Sequence, residues 1–250
     1  MKSQIIDFHC HLKDGKFEHL LKVQASHGVQ MSIIHPAFKE FDALDAYHED
    51  ASRACGKHPD KLGCFIGINF SKDPESIASD FNALEGALGV KIHPLLQEIQ
   101  INDKEFMAPY MAVIKKLDVP VYVHTDHPGV PDYQKYRNLL KSKFGRFAKN
   151  FPEHDRIIAG HAGNNDNYLV MKEVLKLRKN VYVETSLAPV PTEFEKMVKR
   201  IEGGEDKVLF GSNMPYCSID VELKKIEILN ISSEQKNKIL QINARRVLKL

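Results

Sequence analysis

The sequence predicts one α/β-class (β/α)8 (TIM) barrel, and three observations predict it. Eight short apolar runs recur along the 250 residues, each followed by a helical pattern, and the runs stay apolar rather than alternating, as strands covered on both faces by crossover helices do. The length suits one such barrel, and neither a low-complexity linker nor a repeat beyond the βα alternation divides it, so residues 1–250 are read as a single domain. Finally, the first run leads into histidines at the position where an open doubly wound sheet would carry a glycine-rich phosphate loop.

The elements follow in order. Ile5 to His11 is the first strand, and Phe17 to His27 a helix that sets Leu20, Leu21 and Val23 among polar residues and stops at Gly28. Met31 to Pro36 is the second strand, and a helix from Ala43 to about Lys57 is broken by His58-Pro59. Leu62 to Ile68 is the third strand, with Asp73-Pro74 as the start of its helix. Leu88 to Pro94 is the fourth, with Asn102-Asp103 opening the next helix. Val119 to His124 is the fifth, and a longer loop and helix run on to about Asn150. Arg156 to Gly163, Val181 to Ser186 and Lys207 to Asn213 supply the sixth, seventh and eighth strands. Ser232 and Gln235 form a capping box ahead of a closing amphipathic helix that carries Ile239, Leu240, Ile242, Val247 and Leu248.

Charge excludes some partners. Lys plus Arg total 35 against 33 Asp plus Glu, a formal net charge of +2, which gives no reason to expect nucleic acid or an anionic membrane. A small-molecule substrate is the expected partner. The four cysteines, Cys10, Cys55, Cys64 and Cys217, make no CxxC pair, and Met1 leads straight into the first strand with no secretory segment or membrane span, so a reduced, cytoplasmic setting is expected.

The chemistry lies in the polar residues that end the strands: His9, His11, His35, Lys91, His93, His124, His161, Glu184 and Asn213. In a barrel these positions converge on one rim. Alternate residues of a strand share a face, so His9 and His11 aim both imidazoles at one point, the geometry of a metal clamp; His124 and His161 come from other strands toward the same rim. Lys91 is read either as the partner of a rim carboxylate such as Glu184 or Asp126, or as a substrate-binding cation or a carbamylated metal bridge. Glu184 is read as a metal ligand or, in preference, as orienting a ligand histidine. By the same alternation Asp7 shares the face of His9 and supports the ligands, while Cys10 points to the core.

Asp-Phe-His-Cys-His at 7 to 11, Gly-Val-Lys-Ile-His-Pro at 89 to 94, Val-Tyr-Val-His at 121 to 124, Ala-Gly-His-Ala-Gly at 159 to 163, Val-Tyr-Val-Glu-Thr-Ser at 181 to 186, Leu-Phe-Gly-Ser-Asn-Met-Pro at 209 to 215 and Asn-Ala-Arg-Arg-Val-Leu at 243 to 248 resemble the amidohydrolase superfamily. The branch they look most like is the amidohydrolase-related group that includes the aminocarboxymuconate-semialdehyde decarboxylase-like proteins. The resemblance implies one divalent metal per chain, most often zinc, with manganese as the other candidate, held by His9, His11 and His124. It implies that His161 binds a second metal or, with a single metal, hydrogen-bonds the metal-bound water and polarises the substrate. On this basis His161 is read as the acid or base, and His35, Lys91 and His93 as contacting the substrate or supporting the ligands. The eighth-strand position is normally an aspartate that ligates the metal and shuttles a proton, whereas here it is Asn213, whose amide carries no charge and accepts no proton at neutral pH.

The resulting expectation is a metal-dependent hydrolase, or in the same branch a non-oxidative decarboxylase, acting on a small carbonyl or carboxylate compound, with His161 or Glu184 taking over the proton. The alternative that Asn213 raises is a catalytically impaired barrel serving as a ligand-binding or regulatory protein. A homodimer is a further expectation, from the exposed helices of such barrels.

Overall fold

The computed structural model describes residues 4–12, 14–37, 40, 42–125, 143–161, 179–188 and 191–250. Its sheet has eight strands, β1 (Ile5–Cys10), β2 (Val29–Ile34), β3 (Leu62–Gly67), β4 (Ala87–Ile92), β5 (Val121–His124), β6 (Ile157–Gly160), β7 (Val181–Glu184) and β8 (Val208–Leu209), paired in chain order. Every pairing is parallel. Between β8 and β1 the ring is drawn together by Phe8 N–H to the Phe210 carbonyl at 2.8 Å, and by Asn213 N–H to the His9 carbonyl and His11 N–H to the Met214 carbonyl, both at 2.7 Å.

The helices are α1 (Glu18–His27), α2 (Leu44–Lys57), α3 (Ser76–Ala83), α4 (Lys104–Leu117), α5 (Lys143–Asn150), α6 (Pro191–Arg200), α7 (Ile219–Glu227) and α8 (Ser233–Asn237), the last continuing through a π-helical turn, Lys238–Ile242, into α9 (Asn243–Leu248). Gly28 ends α1 in the left-handed conformation at φ 69°, as its lack of a Cβ permits. Asp103 caps α4 by accepting the Phe106 N–H, and the Ser232–Gln235 capping box is complete. Asp73 does not cap α3. Its carboxylate takes the Glu75 N–H at 2.9 Å and closes a turn one step earlier, so the helix starts at Ser76.

The strands stop short of the polar residues that follow them. His35 and His93 each precede a proline, which donates no ladder hydrogen bond, while His161 and Asn213 turn into left-handed backbone at φ 52° and 54°. The eighth strand is the most shortened, two residues against an expected seven, because the Phe210 N–H turns to the Ile239 carbonyl at 3.0 Å and the Ser212 N–H then goes to Asp7.

β1 also departs from simple alternation. Asp7 pairs with Ser32 and Cys10 with Ile34, so three residues advance on β1 for two on β2, a bulge at Phe8 and His9. Ile6 and Phe8 pack inward with Phe65, Tyr122, Ile158 and Leu209, whereas Cys10 packs outward with Leu20, Tyr47 and Ala51. The bulge takes Asp7 out of phase with His9: its carboxylate accepts the N–H and hydroxyl of Ser212 at 2.8 and 2.6 Å and the His9 N–H at 3.3 Å, tying β1 to the end of β8 instead of backing an imidazole. Burial raises its pKa to about 7.

The larger core lies between strands and helices, with Val90, Ile92, Val121 and Val183 against Met107, Ile114, Phe147 and Phe194. Ala244, Val247 and Leu248 of α9 join the inner cluster, and Arg156 at the start of β6 donates to the Val247 carbonyl at 3.0 Å. The C-terminal helix therefore stoppers the end of the barrel where the strands begin. The opposite end holds the histidines.

Candidate metal centre

Burial sets the chemistry of the histidines first. His9 and His35 are fully buried, His11, His93 and His161 nearly so, and desolvation pushes the imidazoles of His9, His11, His35, His93 and His124 well below their usual pKa. The positive charge of Lys91 adds to the effect at the first four. These rings are neutral at neutral pH, the form that offers a lone pair to a cation.

His11 shows most clearly what its lone pair meets. Its Nδ1 donates to the His35 carbonyl at 2.7 Å, so its Nε2 carries no proton, and that nitrogen lies 2.9 Å from the Asn213 amide oxygen, itself only an acceptor. Two acceptors at this distance share no proton. Either the amide turns to present its NH2 group, or both lone pairs hold a cation; as placed, the Asn213 NH2 is directed at Cys217 Sγ, 3.9 Å away. Atoms bound at about 2.0–2.2 Å to one ion, at roughly right angles, sit about 3 Å apart, so the pair fits a divalent cation.

His9 is oriented by a hydrogen-bond network. Its Nδ1 lies 2.9 Å from the Tyr122 hydroxyl and 3.3 Å from Glu184 Oε2, and Tyr122 in turn donates to that carboxylate at 3.0 Å. Glu184 also accepts from the Ser186 hydroxyl at 3.0 Å, the Ser186 N–H at 2.5 Å and the His161 N–H at 3.2 Å. His9, His161 and Glu184 offer ligand atoms within 4.8 Å of one another. With four donors already on its oxygens, Glu184 is better placed to fix the rings of His9 and His161 than to bind an ion itself.

His124 stacks on His93 with ring centroids 3.8 Å apart and meets His161 edge-on at 4.7 Å. Neither of its buried ring nitrogens has a hydrogen-bond partner among the described residues. Leaving a buried polar atom unmatched costs about 1–3 kcal/mol, and a cation bound at one nitrogen would offset it. His161 donates from Nδ1 toward the Ser186 carbonyl and hydroxyl, at 3.2 and 2.8 Å. Burial lowers its pKa to about 4 although Glu184 opposes the shift. His161 and Asn213 both hold positive φ, a strain that clusters at functional sites.

Lys91 lies within the site, but not paired with the rim carboxylate that one sequence reading gives it. It forms no ion pair with Glu184, and Asp126 lies outside the described residues. Instead the ammonium donates to the Pro36 carbonyl at 2.9 Å and faces His9 Nε2 at 3.2 Å, over the Tyr122 ring. His35 stacks on Phe65 beneath His9 and donates from Nε2 to the Phe8 carbonyl at 2.9 Å, bracing the bulge.

Burial lowers the Lys91 pKa from 10.5 to about 7. As pH falls, the unfolded chain protonates this lysine near 10.5 and the folded one only near 7, so folding loses stability across that window, at most about 1.4 kcal/mol per pH unit, and no more below it. Replacing Lys91 with methionine is expected to remove that slope. Unfolding midpoints measured against pH should move in favour of the variant from about 10.5 down to about 7, and the difference should then stay constant.

Sequence reasoning missed Tyr122 and Ser186, although the signal was present: Tyr122 is two residues before His124 and Ser186 two after Glu184, each one pleat along the same face. Glycines make their room. A Cβ on Gly160 would meet the Tyr122 hydroxyl at 2.2 Å, and one on Gly211 would meet Glu184 Oε1 at 2.1 Å. Tyr122→Phe removes only the hydroxyl between His9 and Glu184. It is expected to weaken metal binding about 10–100-fold while the unfolding midpoint moves little, as a metal titration followed by calorimetry would show.

Residues 6–250 match the sequence model of the amidohydrolase family. Gamma-resorcylate decarboxylase of Rhizobium sp. (strain MTP-10005) is 25% identical over 285 residues, spanning 92% of this chain and 86% of that protein. Of solved structures, 2,6-dihydroxybenzoate decarboxylase from Rhizobium superposes with a TM-score of 0.77 at 17% identity, covering 99% of both chains. The 5-carboxyvanillate decarboxylase of Novosphingobium aromaticivorans, solved with manganese and 4-hydroxy-3-methoxy-5-nitrobenzoic acid, superposes at 0.75 with 16% identity, covering 100% of this chain and 97% of that one. With the family's sequence pattern running from the first strand to the last residue, and neutral histidines gathered where its barrel keeps its chemistry, the chain belongs to the amidohydrolase family and is a metal-dependent enzyme.

Proposed function

We propose that the protein catalyses the non-oxidative decarboxylation of a small hydroxyl-bearing aryl carboxylate with one divalent metal, zinc or manganese, held by His9, His11 and His124 with the Asn213 oxygen beside His11. The observation that carries the reading is the approach of two acceptors, His11 Nε2 and Asn213 Oδ1, to 2.9 Å. The manganese in one related decarboxylase, and the benzoates named for the others, support the choice of metal and substrate.

When bound, the metal supplies Lewis-acid polarisation of the substrate's oxygens. The donors His9, His11, His124 and Asn213 are all neutral, so the cation keeps its full charge for an anionic substrate. Hydrolysis needs the protein to take a proton from water, which Asn213 cannot do. Decarboxylation asks the reverse: a proton goes to the ring carbon that carried the carboxylate, the electrons of the broken C–C bond stay with that carbon, and CO2 leaves. His161, its one proton held on Nδ1 by Ser186, would take up a proton from solvent at Nε2 and pass it to that carbon. Burial favours its neutral form, so the protonated ring gives its proton up readily. Glu184 and Tyr122 keep His9 in position.

His9 Nε2 cannot hold the Lys91 ammonium and a cation together, so with a metal bound Lys91 would keep only the Pro36 carbonyl as its acceptor. The four free thiols are compatible with a cytoplasmic setting, and among the described residues no helix is long and apolar enough to cross a membrane. A homodimer completes the proposal.

The test is CO2 release from 2,6-dihydroxybenzoate and 5-carboxyvanillate by protein loaded with zinc or manganese, beside elemental analysis of the purified chain. Metal-dependent CO2 release is the expected result. Bound metal with ester or amide cleavage but no CO2 would replace decarboxylation with hydrolysis, and a chain that binds neither metal would end the reading.

A further inference from the structure

The floor of the barrel carries a second concave site that the proposed reaction does not use. A groove of about 630 Å³ opens where β7 and β8 begin, between the C-terminal end of α6 and the stoppering helix α9. That volume lies within the range of small-molecule sites. Its cations are Lys179, Arg200, Lys207 and Arg246, and its anions are Glu202 and Asp206, leaving an excess of two positive charges on the lining.

The excess is not relieved by internal pairing. Asp206 is shared between Arg246, at 3.3 Å, and Lys238, also at 3.3 Å. Lys179, Arg200 and Lys207 form no ion pair among the described residues. Lys207 is the most constrained: its ammonium lies over the Tyr182 ring, 4.7 Å from the centroid, and donates to the Lys179 carbonyl. Burial, reinforced by Arg246 and Lys179, lowers its pKa to about 8 although Asp206 opposes the shift, so a half-buried cation is held against like charges with only a shared carboxylate nearby. An arrangement of guanidinium and ammonium groups around a recess, short of two negative charges, matches an oxyanion of charge close to −2.

We propose that this groove binds a phosphate dianion, free or as the monoester of a small molecule, at the end of the barrel opposite the metal centre. A phosphate monoester carries about −1.5 to −2 charges at pH 7 and three acceptor oxygens, which answers both the charge excess and the donors. Arg200 and Lys207 would hold it, with Lys179 at the rim.

Calorimetric titration with inorganic phosphate and with adenosine monophosphate, at constant ionic strength, tests the site. The wild-type chain is expected to bind at least one of them, and Arg200→Gln and Lys207→Gln each to weaken that binding about tenfold or more with unchanged unfolding midpoints. His11→Ala is expected to leave it unchanged, because the anion does not sit on the metal. Stronger binding of the nucleotide would identify a monoester, and equal binding the free anion. No binding, equal binding by wild type and both groove variants, or loss of binding in His11→Ala would overturn the proposal.

Discussion

Replacing His11 with alanine is expected to leave the purified protein without retained metal after dialysis and to lower metal-dependent turnover by roughly 10³-fold or more, since polarisation of a substrate oxygen is worth several kcal/mol. His11 is chosen because its tautomer is fixed by the His35 carbonyl and its free nitrogen already faces the Asn213 oxygen. His9 would be a less telling choice, because its ring also joins Tyr122, Glu184 and Lys91 and its loss would disturb the barrel interior. Elemental analysis and circular dichroism on the same sample separate lost metal from lost fold. A folded variant that keeps its metal would remove His11 from the ligand set.

Asn213→Asp is the second large effect. It swaps the NH2 group directed at Cys217 for an oxygen and adds a negative charge beside the neutral ring of His11. With a cation present the charge is matched. Without one it is a buried carboxylate facing a lone pair, and no NH2 group remains to donate to Cys217 Sγ. The unfolding midpoint of the variant is therefore expected to fall in a chelator and to rise above wild type when zinc or manganese is added. Simple ester hydrolysis should gain about 10²–10⁴-fold, the contribution usually made by a general base. A midpoint indifferent to metal would show that residue 213 does not touch the ion.

What the sequence disclosed and what it withheld divide along a physical line. The barrel was legible because buried parallel strands announce themselves by continuous apolar runs, and all eight were found within a few residues. Their ends were less so: a ladder ends where a backbone group finds another partner, and Asp7 capturing Ser212 leaves no pattern in composition. Of the site, the strand-end histidines were visible because imidazoles are costly to bury without reason. Tyr122 and Ser186 were passed over despite sharing a face with His124 and Glu184, since a tyrosine in an apolar strand looks like core and a serine just past a strand looks like a turn. Only the fold shows that both hydroxyls meet one carboxylate. The place of Lys91 was equally hidden, because its partner is a main-chain carbonyl, which every residue possesses.

The extra residue in β1 has a consequence for how this chain tolerates insertion and deletion. Because Ile6 and Phe8 follow one phase of the pleat and His9 and His11 the other, the strand is two short segments spliced half a period apart. Drawing the same residues into an unbroken zigzag would keep Ile6 and Phe8 inside and turn both imidazoles out of the barrel, whereas deleting Phe8 would leave Ile6, His9 and His11 on one face and cost a core ring. The clamp therefore depends on the bulge that lets Phe8 and His9 both face inward, more than on the number of residues in the strand.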